Sequence, residues 1–354
     1  MTRYLITGGA GFIGSAMVRR LVAEGAEVTV IDKLTYAGNL DNLEPIADQD
    51  NYRFIKADIA EDGAMTAAIH ACRPDCVVHF AAESHVDRSI DGPEPFIQTN
   101  VVGSLRVLQA ALAHWQNLDG VAKADFRLLH VSTDEVYGSL GATGAFNEDS
   151  PYRPNSPYAA SKASADHLAR AFHRTYGLPV LVSNCGNNYG PYQFPEKLIP
   201  LMILNGRERK KLPVYGAGDN VRDWIHVDDH VAALLCVLQQ GDVGETYLIG
   251  ARCQASNRDI VERICAVLDD RDDQGDGFCH AQLMQSVDDR PGHDFRYAID
   301  PTKIERQLGW SPTIEFQAGL ETTVAWYADN ADWCRRLADR YDRRRLGLAA
   351  GAPA

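Results

Sequence analysis

The segment that most constrains the fold is a glycine-rich turn near the amino end of the chain, Gly8-Gly-Ala-Gly11-Phe-Ile-Gly14. It joins a short apolar run, Tyr4 to Thr7, to a segment in which apolar residues have helical spacing. Glycines allow the chain to turn sharply from a strand into a helix, and they let backbone N–H groups approach a pyrophosphate at the helix amino end. The order of strand, turn and helix therefore predicts a βαβ unit that binds a dinucleotide.

The residue that ends the next apolar run indicates which dinucleotide is bound. This run, Glu27 to Ile31, ends at Asp32, 18 residues after Gly14. A carboxylate at this position can accept hydrogen bonds from the adenosine ribose hydroxyls, and it would repel a 2′-phosphate. Asp32 thus favours NAD over NADP, although the lysine that follows, Lys33, leaves NADP open as the alternative.

Apolar runs alternate with helical segments through the first half of the chain. Further strands are predicted at residues 52–56, 76–80, 126–132 and 179–183. Such alternation is typical of a parallel sheet that is covered by helices on both faces and binds ligands beyond the carboxyl ends of its strands. We expect an α/β fold, a Rossmann-type doubly wound parallel sheet with a smaller carboxyl-terminal α/β substrate-binding lobe. The predicted boundaries are 1–185 and 221–250 for the nucleotide-binding domain, 186–220 and 251–335 for the lobe, and 336–354 for a carboxyl-terminal extension.

The charge balance and the cysteine pattern argue against several classes of function. The chain has 35 basic and 48 acidic residues, a formal net charge of −13, so no nucleic-acid or anionic-membrane partner is expected. The eight cysteines form no CxxC pair, and His226 and His230 fit a turn that enters a helix, so no metal site is predicted. The acidic stretch 269–277 is interpreted as a solvated loop. No apolar run approaches the roughly 20 residues that span a bilayer, and no leader pattern is present, so we expect a cytoplasmic protein.

A tyrosine and a lysine four residues apart, Tyr158 and Lys162, are candidates for hydride-transfer chemistry at a carbinol. They lie in a segment of helical pattern, so they share one face of the helix. A free tyrosine has a pKa of about 10, and a nearby ammonium group would favour the phenolate that acts as a base. Thr133, at the end of the preceding strand, could hydrogen-bond to the same substrate oxygen.

Two adjacent acids, Asp134 and Glu135, directly follow Thr133, and Glu135 lies 23 residues ahead of Tyr158. Removal of water needs one carboxyl that is ionised and one that is protonated at the same time. Two close carboxyls favour this state, because like charges oppose double ionisation. The pair therefore indicates an enzyme that oxidises its substrate and then dehydrates it; a solvated pair of loop acids is the alternative.

Several longer motifs resemble those of a known family. Two motifs are similar to those of the extended short-chain dehydrogenases/reductases, TGGAGFIG and YAASK. Five others resemble motifs of the dTDP-glucose 4,6-dehydratase family: VSTDEVYG, AAESHVDRS, NCGNNYGPYQFPEKLIP, RDWIHVDDH and DRPGHDFRYAID. The resemblance covers about residues 1–330, and it departs at Gly186, where the family usually has serine. It implies bound NAD, dTDP-glucose as substrate, and a homodimer formed through helices at about 95–115 and 157–175.

The resemblance also implies roles for individual residues. Tyr158 would deprotonate the C4 hydroxyl, Glu135 would remove the C5 proton, and Asp134 would protonate the departing C6 hydroxyl, which yields the 4-keto-6-deoxy sugar. The expected catalytic set is Thr133, Asp134, Glu135, Tyr158 and Lys162. The expected cofactor-binding set is Gly8, Gly11, Phe12, Ile13, Gly14, Asp32, Lys33, Leu34, Thr35, Asp58, Ile59, Ala81, Ala82, Ser84, Thr99, Tyr158, Lys162 and Asn188. The expected substrate-binding set is Ser84, Thr133, Asn187, Lys197, Leu198, Pro213, Tyr215, Arg222, Asn257, Asp289, Arg290 and His293, in which the arginines suit bidentate contact with phosphate.

Three other functions remain as alternatives. A nucleotide-sugar 4-epimerase of the same family would share the threonine, tyrosine, lysine and NAD, but it needs no acid pair. A dehydratase could also act on another nucleotide-sugar, because the residues do not identify the base. A catalytically idle protein, with an NAD-sensing or structural role, would be expected to lack Tyr158 or Lys162, and both are present.

Overall fold

The structure is a computed structural model that describes residues 1–271 and 277–338. Its strands are β1 (Arg3–Thr7), β2 (Glu27–Asp32), β3 (Tyr52–Lys56), β4 (Cys76–His79), β5 (Arg127–Thr133), β6 (Val180–Cys185), β7 (Asn187–Tyr189), β8 (Leu212–Tyr215), β9 (Val221–His226), β10 (Thr246–Ile249), β11 (Gln254–Ser256) and β12 (Met284–Val287). Its helices are α1 (Phe12–Ala23), α2 (Ala64–Cys72), α3 (Val86–Asp91), α4 (Glu94–Phe96), α5 (Ser104–Gln116), α6 (Gly120–Asp125), α7 (Pro157–Tyr176), α8 (Leu198–Arg207), α9 (Val227–Gln240), α10 (Asn257–Arg271), α11 (Thr302–Leu308), α12 (Phe316–Asp329) and α13 (Ala331–Ala338). Residues 272–276 of the predicted acidic loop and 339–354 of the predicted extension lie outside the described residues.

Seven parallel strands form the central sheet in the order β3–β2–β1–β4–β5–β6–β10. The strand order reverses between β1 and β4, which is the point where such a sheet opens a crevice at its carboxyl edge. The predicted Rossmann-type α/β fold is therefore confirmed. The strands predicted from apolar runs agree with the observed bounds to within two residues at each end.

Helices cover both faces of this sheet because alternate residues of a strand point to opposite sides. In β1, Tyr4 and Ile6 join the apolar core that includes residues of α1 and α9, whereas Leu5 joins the core that includes residues of α2, α5 and α7. All three side chains are almost fully buried. The two cores fix the sheet between its helical layers and so hold the strand ends, and the residues that follow them, at one edge.

A smaller lobe surrounds the carboxyl edge of the sheet. It contains a three-stranded sheet, β11–β9–β7, a parallel pair of β8 and β12, and the helices α8, α10 and α12. Ile203, Ile264 and Leu320 from these helices lie in one core and are fully buried. Strand β9 leads directly into α9, which packs on the large sheet, so the chain crosses between the two parts more than once.

The helix predicted at about 95–115 contains a π-helical stretch, Ile97–Gly103, between α4 and α5. A side chain at Gly103 would lie 2.7 Å from Ile59 Cδ1, so the glycine permits close approach of this stretch to the loop after β3. Thr99 lies in the same stretch and lines the cleft described below. Such stretches are frequent at functional sites.

The described residues also bear on the membrane and metal predictions. None of the helices in residues 1–271 and 277–338 combines the length and the apolar character that a bilayer crossing needs. The same residues contain no group of three or more His, Cys, Asp or Glu side chains arranged to hold a metal ion. His226 caps α9 by accepting a hydrogen bond from the backbone N–H of Asp228, so the predicted turn into a helix is confirmed.

Candidate active site

A long cleft lies along the carboxyl ends of β1, β2, β4, β5 and β6, and the glycine-rich turn forms part of its wall. Gly8 has a φ of +70°, and a Cβ atom there would lie 2.6 Å from the backbone nitrogen of Ala81. A Cβ atom on Gly14 would collide with the carbonyl oxygen of Gly8. The turn therefore has no room for side chains and leaves its backbone open to a ligand at the start of α1, which fits a dinucleotide pyrophosphate.

The far end of the cleft fits the ribose of NAD better than that of NADP. Asp32 lies at the end of β2, where its carboxylate accepts hydrogen bonds from the backbone N–H groups of Ala10 (3.0 Å) and Leu34 (2.8 Å). Lys33 donates a hydrogen bond to Thr99 (2.8 Å) and lies 3.5 Å from carboxylate oxygens of both Asp58 and Glu83. Lys33 is thus already neutralised by two acids, which would themselves repel a 2′-phosphate.

Most of the predicted cofactor-binding residues lie in the wall of this cleft. Those in the wall are Gly8, Gly11, Phe12, Ile13, Gly14, Asp32, Lys33, Thr35, Ile59, Ala81, Ala82, Ser84, Thr99, Tyr158, Lys162 and Asn188. Leu34 and Asp58 are not in it but contact Asp32 and Lys33, which are. The wall also contains residues that were not predicted, among them Ala37, Gly38, Phe80, Glu83, Gln193, Phe194 and Glu196.

Thr133, Tyr158 and Lys162 all line the cleft, and Tyr158 is hydrogen-bonded with Thr133. Burial raises the pKa of Tyr158 well above its ordinary value, the Glu135 carboxylate raises it further, and a hydrogen bond with Thr133 opposes the rise. The Lys162 ammonium donates a hydrogen bond to the carbonyl oxygen of Val131 (2.8 Å). The lowering of the tyrosine pKa by the lysine stays a prediction, because in this arrangement burial raises the pKa of Tyr158 and Lys162 is bonded to Val131.

Asp134 and Glu135 form a short 3₁₀ turn directly after β5, and the two carboxyls have different surroundings. Burial raises the pKa of Asp134 well above its ordinary value, and the neighbouring Glu135 raises it further. Burial also raises the pKa of Glu135, but the positive charges of Arg290, Arg222 and Lys197 oppose this rise. The buried Oδ2 atom of Asp134 has no hydrogen-bond partner among the described residues. Burial thus raises the pKa of both carboxyls, and more cations oppose the rise at Glu135 than at Asp134.

The predicted diphosphate-binding residues form a charged cluster beside Glu135. Arg290 donates a hydrogen bond to Asp87 (2.5 Å), and the Tyr215 hydroxyl donates another to the same carboxylate (3.2 Å). The guanidinium of Arg222 lies 4.3 Å from the centre of the Tyr297 ring and donates a hydrogen bond to the carbonyl oxygen of Asp294 (3.1 Å). Both arginines are largely buried, so a ligand phosphate could contact them in a low-dielectric setting where charge pairing is strong.

The other predicted substrate-binding residues differ in their contacts and in the part of the structure where they lie. His293 pairs with Asp289 (2.6 Å) and lies edge-on to the Tyr215 ring. Ser84, Asn187 and Lys197 line the cofactor cleft, and the Lys197 ammonium donates a hydrogen bond to the carbonyl oxygen of Ser84 (2.9 Å). No hydrogen bond joins Leu198, Pro213 or Asn257 to the arginines within the described residues; these three lie at the start of α8, in β8 and at the start of α10.

Glu196 is a buried acid of the cleft that the sequence prediction missed. Its Oε2 atom lies 3.6 Å from His85 Nε2 and 3.6 Å from Arg88 Nε, and burial raises its pKa to about 7. Tyr36 contributes a hydrogen bond to the same carboxyl. Its position next to Lys197 in the FPEKLIP motif could have drawn attention to it.

Asp166, four residues after Lys162, is the second acid that the prediction missed. It is fully buried and accepts hydrogen bonds from His130 (3.0 Å), the Tyr152 hydroxyl (2.8 Å) and Asn184 (3.1 Å). Although burial opposes ionisation, the bond from His130 and the charge of Lys162 hold the pKa of Asp166 below its ordinary value. Asn184 also donates to the carbonyl oxygen of Thr133 (3.0 Å), so this acid supports both the lysine and the threonine. The four-residue spacing from Lys162 on one helix face was the available signal.

Gly186, the departure from the family pattern, lies in the cleft wall between β6 and β7. A Cβ atom at this position would lie 2.6 Å from the carbonyl oxygen of Asp223. The glycine therefore allows β9 to approach the cleft more closely than a serine would at the same backbone position.

The fold and the site together define the class of protein. A doubly wound sheet, a glycine turn open to a pyrophosphate and a buried Thr–Tyr–Lys set beside it characterise an NAD-dependent short-chain dehydrogenase/reductase.

Comparison with known proteins narrows this class. Residues 5–323 match the family model described as GDP-mannose 4,6 dehydratase. A probable dTDP-glucose 4,6-dehydratase from Sinorhizobium fredii is 55% identical over 347 residues, which cover 98% of this chain and 99% of that protein. The crystal structure of a dTDP-glucose 4,6-dehydratase from Streptomyces venezuelae with NAD and TYD bound is 46% identical, has a TM-score of 0.87, and is matched over 95% of this chain and 100% of that chain. The chain belongs to the dTDP-glucose 4,6-dehydratase family.

The epimerases are more distant. A UDP-glucose 4-epimerase from Thermotoga maritima, solved with UDP-glucose, has a TM-score of 0.82 but is 28% identical, with 93% of this chain and 100% of that chain covered. The fold is thus shared between the two activities, and the residues of the site must distinguish them.

Proposed function

We propose that this chain converts dTDP-glucose to dTDP-4-keto-6-deoxyglucose with a tightly bound NAD. The observation that carries the proposal is the pair of Asp134 and Glu135, whose adjacent carboxyls have different surroundings. Asp134 is buried beside another acid, whereas Glu135 faces three cations. Elimination of water requires one protonated and one ionised carboxyl, and we infer that Asp134 carries the proton while Glu135 is ionised.

Oxidation at C4 depends on Tyr158, Thr133 and Lys162. Bound NAD supplies the hydride acceptor at C4 and the hydride donor at C6. Tyr158 removes the proton of the C4 hydroxyl, and Thr133, which hydrogen-bonds with Tyr158, holds the same oxygen in place. Because burial opposes ionisation of Tyr158, the phenolate needs a cation nearby, and Lys162, one helical turn further on, is the cation that the chain supplies.

Elimination then depends on the acid pair. The C4 ketone acidifies the C5 proton, which Glu135 removes, and Asp134 gives its proton to the C6 hydroxyl so that it leaves as water. The unpartnered Oδ2 atom of Asp134 is available to that hydroxyl. Glu135 returns its proton to C5 when C6 is reduced, and the proton held by Tyr158 replaces the one that Asp134 lost, so the site is restored.

The nucleotide-sugar is held between the cleft and the lobe. Arg222 and Arg290 contact the diphosphate, supported by Tyr297 and Asp87, and both arginines lie close enough to Glu135 to oppose the rise in its pKa. The remaining residues proposed to contact the substrate are Ser84, Thr133, Asn187, Lys197, Leu198, Pro213, Tyr215, Asn257, Asp289 and His293. This division of the chain supports a nucleotide-binding domain of residues 1–185 and 221–250 and a substrate lobe of residues 186–220 and 251–335, with β9 joining the two.

We also propose that the chain forms a homodimer and is located in the cytoplasm. Small residues on α7 and an exposed apolar side chain, Ile97, at the start of the π-helical stretch support pairing of these helices in a homodimer. All eight cysteines are free thiols, in keeping with a reducing compartment such as the cytoplasm.

Incubation with dTDP-glucose tests the activity against the epimerase alternative. We expect a product lighter by one water, with the alkaline absorbance of a 4-keto-6-deoxy sugar, and no accumulation of the C4 epimer. UDP-glucose in a parallel reaction should give less product, which tests the choice of base. Formation of an epimerised sugar with no loss of water would refute the proposal.

A further inference from the structure

The carboxyl-terminal helix α13 lies far from the reacting groups in sequence, yet it is bonded to the loop that follows β2. The indole N–H of Trp333 donates a hydrogen bond to the side-chain oxygen of Asn42 (3.1 Å), and both residues are buried. Arg336, on the next turn of the helix, pairs with Asp41 (2.6 Å) at the surface. These contacts join positions 291 and 295 residues apart in the chain.

Asn42 in turn is bonded to the glycine-rich turn of the cleft. Its amide nitrogen donates a hydrogen bond to the carbonyl oxygen of Ala10 (3.1 Å), which also accepts one from the backbone N–H of Asn39 (3.0 Å). The carbonyl oxygen of Asn42 accepts a hydrogen bond from Arg19 on α1 (2.6 Å). Trp333 is therefore two hydrogen bonds away from Ala10, which lies within the glycine-rich turn.

The same part of the lobe holds the second loop of the cleft, residues 190–197. Tyr192 in this loop has a φ of +67°, which is uncommon for a residue with a side chain. The centre of its ring lies 4.4 Å from the ring centre of Trp326 and 5.8 Å from that of Trp333. The Arg19 guanidinium lies 4.1 Å from the centre of the Tyr192 ring. The Tyr327 hydroxyl donates a hydrogen bond to the carbonyl oxygen of Gln193 (2.6 Å). Packing against α12 and α13 therefore fixes the shape of this loop.

The two loops meet over the cleft. The Tyr36 ring, from the loop after β2, lies edge-on to the Phe194 ring with 5.7 Å between centres. Thr35, Ala37 and Gly38 from the first loop, and Gln193 and Phe194 from the second, belong to the cleft wall. A dinucleotide in the cleft would therefore contact two loops that are both bonded to or packed against α12 and α13.

We propose that Trp333 and Asn42 are positioning residues for the cofactor. Their hydrogen bonds connect α13 to the loop of residues 33–42 and to the glycine-rich turn, and this connection slows the release of NAD. The inference rests on the NAD-binding part of the proposed function and not on the identity of the sugar. A reaction in which the cofactor is reduced and reoxidised within one turnover benefits from such retention, because the same NAD molecule must remain in place between the two hydride transfers.

The test compares NAD release from the wild type and two tryptophan variants. Trp333→Phe keeps an aromatic ring but removes the N–H group that donates a hydrogen bond to Asn42. Trp310→Phe, the control, makes the same change at another buried tryptophan, which is not hydrogen-bonded to residues 10–46. The full chain is loaded with isotope-labelled NAD, excess unlabelled NAD is added, and the label still bound is counted after rapid gel filtration. We expect Trp333→Phe to release NAD roughly tenfold faster, equivalent to about 1.4 kcal/mol, and Trp310→Phe to release it at the wild-type rate.

Two further measurements separate cofactor positioning from a purely structural role. Thermal unfolding of each variant is recorded, and a lower melting temperature of Trp333→Phe with unchanged NAD release overturns the inference. Arg336→Ala removes only the exposed ion pair with Asp41, and we expect about twofold faster release; if Trp333→Phe does not fold, unchanged release from this variant overturns the inference. A wild-type protein that binds no labelled NAD would instead refute the NAD-binding part of the proposed function.

Discussion

Replacement of Glu135 by glutamine should separate the oxidation of the sugar from its dehydration. Glutamine has nearly the same shape but cannot accept the C5 proton as a base. A positioned general base contributes about 10²- to 10⁴-fold to a proton transfer, or roughly 3–5 kcal/mol at 1.36 kcal/mol for each factor of ten. We therefore expect Glu135→Gln to lower the rate of dehydration by at least about a hundredfold.

The oxidation step should survive this change, and its pH dependence should move in a defined direction. The Glu135 carboxylate is the first charged group that raises the pKa of Tyr158, so its removal lowers that pKa. Because the base form of Tyr158 is the deprotonated one, oxidation in the variant should reach its full rate at lower pH than in the wild type. Removal of the same carboxylate also weakens one cause of the raised pKa of Asp134.

The assay is a single turnover with excess enzyme, in which NADH is followed by its near-ultraviolet absorbance and the product by mass. We expect the variant to accumulate NADH while forming little 4-keto-6-deoxy sugar. Asp223→Asn is not a suitable control, because that carboxylate accepts three backbone hydrogen bonds; Glu321→Gln, at an exposed position of α12, is the matched control. Undiminished product formation would show that Glu135 is not the base, and absence of NADH would show that it acts before elimination.

Three further predictions concern the remaining residues of the site. Tyr158→Phe should lower the first oxidation by about 10²- to 10⁴-fold, and normal build-up of NADH in that variant would contradict its role as base. Asp166→Asn should lower the free energy of unfolding by about 3–5 kcal/mol, because three hydrogen-bond donors and the buried Lys162 lose the carboxylate that they contact or face. Denaturant unfolding measures this loss, with the exposed variant Ser164→Ala as the control. The folded-state pKa of Asp166 is depressed, so this contribution to stability is present above the unfolded pKa and is lost as the pH falls through the folded pKa; a wild type and variant that respond alike to acid would refute the assignment. Gly186→Ser should cost about 1–3 kcal/mol by pressing on the carbonyl oxygen of Asp223, whereas Gly141→Ala, which meets nothing within 4 Å, should not; equal melting temperatures for Gly186→Ser and the wild type would contradict the close contact.

The sequence predicts those parts of the fold and site that depend on local pattern. Strand bounds agree to within two residues because an apolar run between turn residues is a local signal. Tyr158 and Lys162 share a helix face because a helix repeats every 3.6 residues. The order of the glycine turn, helix and acid-terminated strand similarly indicates the dinucleotide cleft before any contact is known.

Sequence spacing was a poor guide to charge. Tyr158 and Lys162 have the expected spacing, yet burial and the Glu135 carboxylate raise the pKa of Tyr158, and the spacing reveals neither. Glu196 is next to Lys197, a predicted substrate-binding residue. Only the folded chain surrounds Glu196 with His85, Arg88 and Tyr36, and burial in the fold raises its pKa to about 7. The pKa of a side chain depends on how much water the tertiary structure removes and on which charges it brings near, and neither is a local property.

The sequence by itself therefore determined the class of fold, the cofactor cleft and the residue types of the chemistry. The tertiary structure alone decided that Arg222 and Arg290, from distant parts of the chain, oppose the rise in the pKa of Glu135, and that burial and Glu135 raise the pKa of Asp134. It also decided that Trp333 is hydrogen-bonded to Asn42, 291 residues away. The physical reason is the same in both cases: helix and strand periodicity is set by neighbours along the chain, whereas electrostatic surroundings and loop anchoring are set by packing between segments whose separation in sequence carries no periodic signal.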